Sequence, residues 1–193
     1  KNFTGFYNLC SQIEYDNLEI EVIDSKSVAL TTGLLAIYAK DLIKKGYEFK
    51  EIVDRLEDKK KESKIFFTID SFKYLVAGGR VPKAFGKVGE LLNIKPIIVC
   101  SPEDGKYHIE KTCRGEKKVL KEMEKIASEY LGKFDKYYMI ISNGGYKKGS
   151  EILEEKLKVF KEKSTLFLTS QIAPSLGVNT GPGLFGFGFL PLD

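Results

Sequence analysis

The stretch KIFFTIDSFKYLVAGGR, residues 64–80, decides the fold class. Its first part, Ile65–Ile69, is apolar and rich in β-branched and aromatic residues, which predicts a buried strand. Asp70 or Ser71 can cap a short helix, and the pair Gly78–Gly79 ends that helix. A buried strand that gives way to a helix within a few residues is typical of an α/β protein.

Strands and helices continue to alternate on both sides of this stretch. Upstream, Ile20–Asp24 is a predicted strand, followed by two amphipathic helices. Downstream, residues 96–111 predict an antiparallel hairpin. The other predicted elements are a helix over 116–131, strands at 137–142 and 165–169, a helix over 150–163 and a strand at 185–190. We therefore predict an α/β fold with a mainly parallel sheet and flanking helices, together with a smaller α/β part that contains the hairpin.

Composition and charge exclude several function classes. The chain has 193 residues, of which 42% are hydrophobic and 30% charged, as is ordinary for a globular protein. The net charge of +4 is too mild to suggest a nucleic-acid partner. No run approaches 18 uncharged apolar residues, and no charged-then-apolar leader opens the chain, so we expect neither a membrane span nor a secretory signal.

Cysteine and histidine usage argues against a metal site and against His-based catalysis. Cys10, Cys100 and Cys113 show no pairing pattern, which favours a reducing, cytoplasmic setting. His108 is the only histidine, and the strand around it predicts a half-exposed side chain. The sequence also lacks a phosphate-binding glycine loop and a nucleophile elbow. We predict no metal, no cofactor and no catalytic residue.

Two loops that are rich in hydroxyl side chains are candidates for ligand binding. Ser25 and Ser27 lie where a strand gives way to a helix, the edge at which open α/β sheets bind ligands. Their hydroxyls can hold an anionic head group or cap the helix. The second loop, Asn179–Gly183, contains two glycines around a proline and forms a tight turn. Its first residues supply an amide and a hydroxyl, for ligand contact or for stabilising the turn.

Arginines are rare enough in this chain to be informative. Only three of the 31 basic residues are arginines, and two of them, Arg80 and Arg114, lie beside glycines at element ends. The planar guanidinium suits carboxylates and phosphates, and lysine does not replace it there. Each arginine either binds an anionic ligand or pairs with a structural carboxylate.

The final strand has an unusual pattern in which phenylalanine and glycine alternate over Phe185–Phe189. Glycine weakens a strand unless another group approaches the backbone closely. That group is either a lipid chain or a neighbouring helix.

Six segments that cover nearly the whole chain carry a resemblance to a known family. They are Phe3–Tyr7, Ile23–Ser27, Tyr74–Arg80, Leu91–Ile97, Lys111–Gly115 and Gly177–Gly183. Together they resemble the DegV family of bacterial fatty-acid-binding proteins, which includes the B subunit of fatty-acid kinase.

The resemblance implies a two-domain α/β protein that buries one acyl chain and holds its carboxylate with hydroxyls. Residues 1–70 would be the remainder of an incomplete N-terminal α/β domain, and residues 71–193 the C-terminal α/β domain with the closing Gly-Pro-Gly loop. The family's N-terminal part, with its Thr-Ser-Gln-Pro-Ser ligand loop, does not occur in this sequence. Residues 169–175 resemble that loop only weakly and are judged unrelated to it. We therefore expect this chain to hold only half of the site that binds the ligand's head group.

Carried over residue by residue, the resemblance implies specific roles. Thr4 replaces the serine of the family's Ser-Gly loop and keeps its hydroxyl, and Asn179 stands in place of the family's histidine. Arg80 and Arg114 would supply positive charge near the ligand's exit, where a kinase docks. The predicted ligand-binding residues are Thr4, Gly5, Ser25, Ser27, Asn179, Thr180 and Gly181.

These inferences favour a non-catalytic carrier of a long-chain fatty acid in the bacterial cytoplasm. The acid is its only expected ligand, its expected partner is a fatty-acid kinase A-type subunit, and contact with membranes would be transient. One alternative is a phosphoryl-transfer or other small-metabolite enzyme subunit that uses Arg80 and Arg114, with Asp24 and Asp70 holding a metal. The other alternative is an interaction module whose ligand is a protein.

Overall fold

A computed structural model describes residues 19–83 and 94–193 of the chain. In these residues helices and strands alternate, beginning with two helices. The helices are α1 Leu30–Lys44, α2 Phe49–Glu62, α3 Lys73–Ala77, α4 Glu116–Leu131, α5 Lys147–Lys156, α6 Lys158–Lys163 and α7 Pro174–Thr180. The strands are β1 Lys64–Thr68, β2 Ile94–Cys100, β3 Tyr107–Arg114, β4 Tyr137–Asn143, β5 Leu166–Gln171 and β6 Phe185–Pro191.

The six strands form one mixed sheet in the order β3-β2-β1-β6-β4-β5. The α/β class is confirmed, and so is the hairpin, which is formed by β2 and β3. The prediction of mainly parallel pairing is wrong for the described residues, because only β4 and β5 pair in parallel. The reason is that β6 inserts between β1 and β4 and runs opposite to both.

The strand predicted at Ile20–Asp24 is also wrong, because this segment joins no ladder within residues 19–83 and 94–193. It instead leads into a turn, in which the Lys26 amide donates to Asp24 Oδ1 over 3.1 Å. The division into domains at residue 70 stays a prediction. In the structure β1, from the first segment, lies between β2 and β6 of the second.

The two faces of the sheet are covered differently. Helices α4 and α5 cover one face and bury its aromatic and aliphatic side chains in a large cluster. On the other face, α1 and α2 cover one part, while α3 and α7 cover another. The space between these two helix pairs exposes part of the sheet to a cavity.

Strand β6 explains why the faces differ. Its phenylalanines point to the side of α4, where the Phe187 ring stacks on Phe66 with centroids 5.5 Å apart and Phe189 lies 6.3 Å from Tyr130. A neighbouring helix, and not a lipid, therefore covers the phenylalanines. Since successive residues of a strand face opposite sides, Gly186 and Gly188 face the other helices.

Candidate ligand cavity

An apolar cavity lies between the sheet, the start of α1 and the short helix α7. The cavity is narrow: part of the roughly 250 Å³ of space between its atoms is open to solvent, and the volume comparable with that of other protein cavities is about 10 Å³, room for about one water molecule. Hydroxyls contribute little to the lining, which is otherwise aliphatic and aromatic. The lining residues are Val28, Ala29, Ile65, Phe67, Tyr107, Ser142, Ile172, Leu176, Thr180 and Leu184.

The floor of the cavity depends on Gly186. This glycine pairs with Phe67 on one neighbouring strand and with Ser142 on the other, and both partners line the cavity. A Cβ at this position would come within 2.6 Å of the Phe67 Cα. Because Gly186 has no side chain, the neighbouring strands pack closely and the space above this part of the sheet stays open.

One wall is the loop that precedes α1. Lys26 and Ala29 have positive φ angles of 49° and 54°, which are uncommon for residues other than glycine. The Ser25 hydroxyl accepts the Ser27 amide over 3.3 Å, and Cys100 Sγ donates to the Lys26 carbonyl over 3.5 Å. These bonds hold Ala29 against the cavity, but they also occupy the Ser25 hydroxyl within the loop.

The roof is α7 and the glycine-proline-glycine loop that follows it. Thr180 lines the cavity and donates its hydroxyl to the Leu176 carbonyl over 3.1 Å. Asn179 lies one residue earlier and faces away, because its amide fills the space that a Cβ on Gly78 would need. The structure therefore brings Thr180 to the cavity. A ligand contact by Asn179 stays a prediction.

Three of the motif segments converge behind this roof. The Tyr74 ring covers Gly181, and the Asp70 carboxylate packs against Gly183. Lys95, from the third segment, forms an ion pair with Asp70. The sequence motifs thus act as one structural unit that holds the loop in place.

The cavity wall is uncharged near neutral pH. Burial raises the pKa of Tyr107 to about 12, and it raises the pKa of the neighbouring Cys100 thiol to about 11. The charge of Arg80 acts on Tyr107 in the opposite direction, which lowers the Tyr107 pKa against the effect of burial. The Arg80 guanidinium is therefore a cation whose charge reaches this wall.

The two candidate arginines are separated. Arg114 and Tyr107 are the two ends of β3, about 20 Å apart at the rise of an extended strand. Both Arg80 and Arg114 are exposed, and neither guanidinium has a carboxylate partner within the described ranges. Pairing with a structural carboxylate is thus not seen for either one there.

Other predicted site residues have mixed outcomes. Thr4 and Gly5 lie outside the described residues. Ser25 and Ser27 lie on the loop that forms a wall, next to the lining residues Val28 and Ala29. Sequence reasoning missed Tyr107 and Ser142 as lining residues, since nothing in their local patterns distinguishes them from ordinary strand residues.

The two carboxylates that a phosphoryl-transfer enzyme would need to hold a metal are paired with lysines. Asp24 forms an ion pair with Lys26 at 3.1 Å, and Asp70 pairs with Lys95. Over residues 19–83 and 94–193, no three His, Cys, Asp or Glu side chains are grouped to hold a metal ion. In the same part of the chain, no helix combines the length and the apolar character needed to cross a membrane.

Comparisons with known proteins agree with this architecture. The sequence model of the family described as "Uncharacterised protein, DegV family" matches residues 1–192. A DegV domain-containing protein of Clostridium acetobutylicum is 31% identical over 190 residues, which cover 96% of this chain and 66% of the relative.

Two solved structures share the fold. A fatty-acid-binding DegV family protein from Streptococcus agalactiae superposes with a TM-score of 0.85 at 25% identity, covering 99% of this chain and 66% of that one. A DegV family protein from Thermus thermophilus, described by its fatty-acid binding, gives a TM-score of 0.82 at 23% identity, covering 91% and 62%.

This chain spans about two thirds of the length of the relatives that it matches. The resemblance inferred from the six motif segments is confirmed by the match over nearly all of the sequence and by the shared fold. The chain belongs to the DegV family.

Proposed function

We propose that this protein binds a long-chain fatty acid, with the acyl chain in the cavity between α1, α7 and the sheet. The observation that carries the proposal is the lining of this cavity, which is apolar except for the Ser142 and Thr180 hydroxyls and the Tyr107 phenol. The Streptococcus agalactiae relative, which is described as fatty-acid binding, supports the same ligand class.

The affinity would come mainly from the acyl chain. Each buried methylene contributes roughly 0.8 kcal/mol, so an acyl chain that enters and widens the narrow cavity would supply most of the binding free energy. The carboxylate would lie toward the polar side of the cavity, where Ser27 offers a hydroxyl and Arg80 offers charge. Thr180 would join in by exchanging its hydrogen bond to the Leu176 carbonyl for one to the ligand. Thr4 and Gly5 would complete this head-group site, as the family resemblance implies.

We further propose that the protein is a carrier without catalytic activity and presents the bound carboxylate to a fatty-acid kinase A-type subunit. The exposed Arg80 and Arg114, which have no carboxylate partner among residues 19–83 and 94–193, support this role, because positive charge attracts the phosphate groups that a kinase brings. The free buried thiols of Cys100 and Cys113 support a cytoplasmic location. Contact with membranes would be transient, during loading.

The proposal is tested by mass spectrometry of an organic extract from the natively purified protein. We expect a fatty acid in a ratio near one per chain. In Leu176→Trp the larger ring fills the cavity that Leu176 lines, and the extract should contain little acid. Val178→Trp is the matched control, since Val178 lies on the same helix, is 75% exposed and does not line the cavity.

Two results would count against the carrier. One is a wild-type extract without acid, combined with no uptake of palmitate by the delipidated protein. The other is equal loading of Leu176→Trp and Val178→Trp, which would place the ligand elsewhere. Turnover of ATP by this chain alone would favour the phosphoryl-transfer alternative.

A further inference from the structure

Thr31, in the first turn of α1, is a fully buried residue whose hydroxyl has no hydrogen-bond partner within the described residues. Leaving a hydroxyl buried and unpaired costs about 1–3 kcal/mol. This hydroxyl therefore costs the fold stability, and its position calls for another explanation.

Thr31 rests on the sheet at a glycine. A Cβ on Gly188 would come within 2.7 Å of Thr31 Oγ1. The contact explains why β6 carries a second glycine, because a larger residue there would push α1 away from the sheet.

The contact lies at the inner boundary of the cavity. Gly188 pairs with Ile65 on one side and Ile140 on the other. Ile65 lines the cavity, as does Ala29, two residues before Thr31. Ile140 belongs instead to the packed cluster beneath α1 and α2. Thr31 thus lies between residues that line the cavity and the packed cluster beneath α1 and α2.

We propose that Thr31, seated on Gly188, is the residue that closes the inner end of the acyl pocket and so limits the length of the fatty acid. This inference rests on the proposed function. A side chain of this size blocks the terminal methyl group at the cluster beneath α1, whereas a smaller one leaves space into which the chain extends.

The experiment compares the acids extracted from wild type, Thr31→Ala, Thr31→Val and Thr68→Ala, each loaded after delipidation with one equimolar mixture of saturated acids. Thr31→Ala removes two heavy atoms and should lengthen the mean acyl chain by about two carbons, through the space that the truncation leaves. Thr31→Val keeps the size without the hydroxyl and should leave the mean length unchanged.

Thr68→Ala is the matched control for losing a buried, unpaired threonine hydroxyl. Its strand partners Ile97 and Phe185 belong to the cluster on the opposite face of the sheet. The acids bound by Thr68→Ala should therefore match those of wild type. Since valine preserves packing, Thr31→Val keeps the inference open to refutation even where Thr31→Ala folds poorly.

The outcomes separate this inference from the proposed function. Longer acids in Thr31→Ala alone, at unchanged stoichiometry, support the inference. Identical acids in wild type and Thr31→Ala overturn it while the carrier function stands, and so does a change of length in Thr31→Val. Absence of any acid from the wild type overturns the proposed function, and the inference with it.

Discussion

The aromatic ring of Tyr74 lies over Gly181, so that a Cβ on this glycine would come within 2.6 Å of Tyr74 Cε2. Gly181 also has a φ of 77°, in the left-handed region that favours glycine. A second contact, between Asp70 and Gly183, joins the residues just before α3 to the same loop. Residues about 100 positions apart in sequence thus hold each other in place beside the cavity.

This contact predicts a large effect of a single methyl group. Gly181→Ala should lower the free energy of unfolding by about 1–3 kcal/mol, because it strains the backbone and displaces the Tyr74 ring. Urea unfolding followed by circular dichroism measures the change. We also expect weaker uptake of fatty acid, since the displaced loop carries Thr180.

Gly33→Ala is the matched control. Gly33 lies inside α1 with open space around its Cα, and alanine in a helix is favoured over glycine by about 0.5–1 kcal/mol. This variant should be as stable as wild type or more so. Equal effects of the two substitutions would contradict the packing described for Gly181.

The unpaired hydroxyl of Thr68 predicts a stabilising substitution. Thr68→Val replaces a buried hydroxyl without a partner in the described residues by a methyl group of similar size, and should raise the free energy of unfolding by about 1 kcal/mol. Thr180→Val should have the opposite effect, because the Thr180 hydroxyl donates to the Leu176 carbonyl. Chemical denaturation of both variants measures whether the free energy of unfolding rises in Thr68→Val and falls in Thr180→Val.

Glu122 on α4 predicts a pH dependence of stability. Ion pairs with Lys118, Lys111 and Lys125, at 3.1–3.2 Å, lower the pKa of Glu122 to about 2. An unfolded glutamate titrates near pH 4.3. The stabilisation is therefore complete above about pH 4.3 and is lost as the pH falls toward 2.

Glu122→Gln should consequently be less stable than wild type at pH 7, with the two stability curves converging near pH 2. Glu129→Gln is the control, since Glu129 is exposed on the same helix and lies outside the ion-pair cluster. Thermal unfolding across pH 2–7 gives the curves. A constant gap between wild type and Glu122→Gln would argue against the ion-pair explanation.

Removal of the ligand should lower the melting temperature. At 100 times its Kd, a ligand that binds only the folded state adds about 2.7 kcal/mol, or roughly 5–10 °C for a chain of this size. Delipidated protein should regain this difference with added palmitate. Leu176→Trp should show no such recovery, and a full recovery in that variant would place the binding site outside the cavity.

Much of the local structure follows from the sequence because it depends on short-range effects. The buried strand at Ile65–Ile69, the hairpin over 96–111 and the helix over 116–131 all appear close to their predicted places. Apolar periodicity and turn residues act within a dozen residues, and that range is enough to specify such elements. The strand predicted at Ile20–Asp24 failed because no partner strand lies beside it in the described structure.

The candidate site was predictable only in part. Thr180 could be identified by its place in the loop, and it lines the cavity. Tyr107 and Ser142 could not be identified, since their place in the lining depends on how separate strands and helices pack around Gly186. The orientation of Asn179 toward Gly78 likewise depends on the contact between α3 and α7.

The sequence by itself determined the α/β class, the family motifs and the alternation of phenylalanine and glycine in β6. Only the tertiary structure decided that β6 lies between β1 and β4 and runs opposite to both. It also decided that α4 covers the phenylalanines, while Thr31 and the cavity meet the glycines. The physical reason is that local propensity acts over about a dozen residues, whereas the partners of β6 lie roughly 40 to 125 residues away and are selected by the burial of both faces of the sheet.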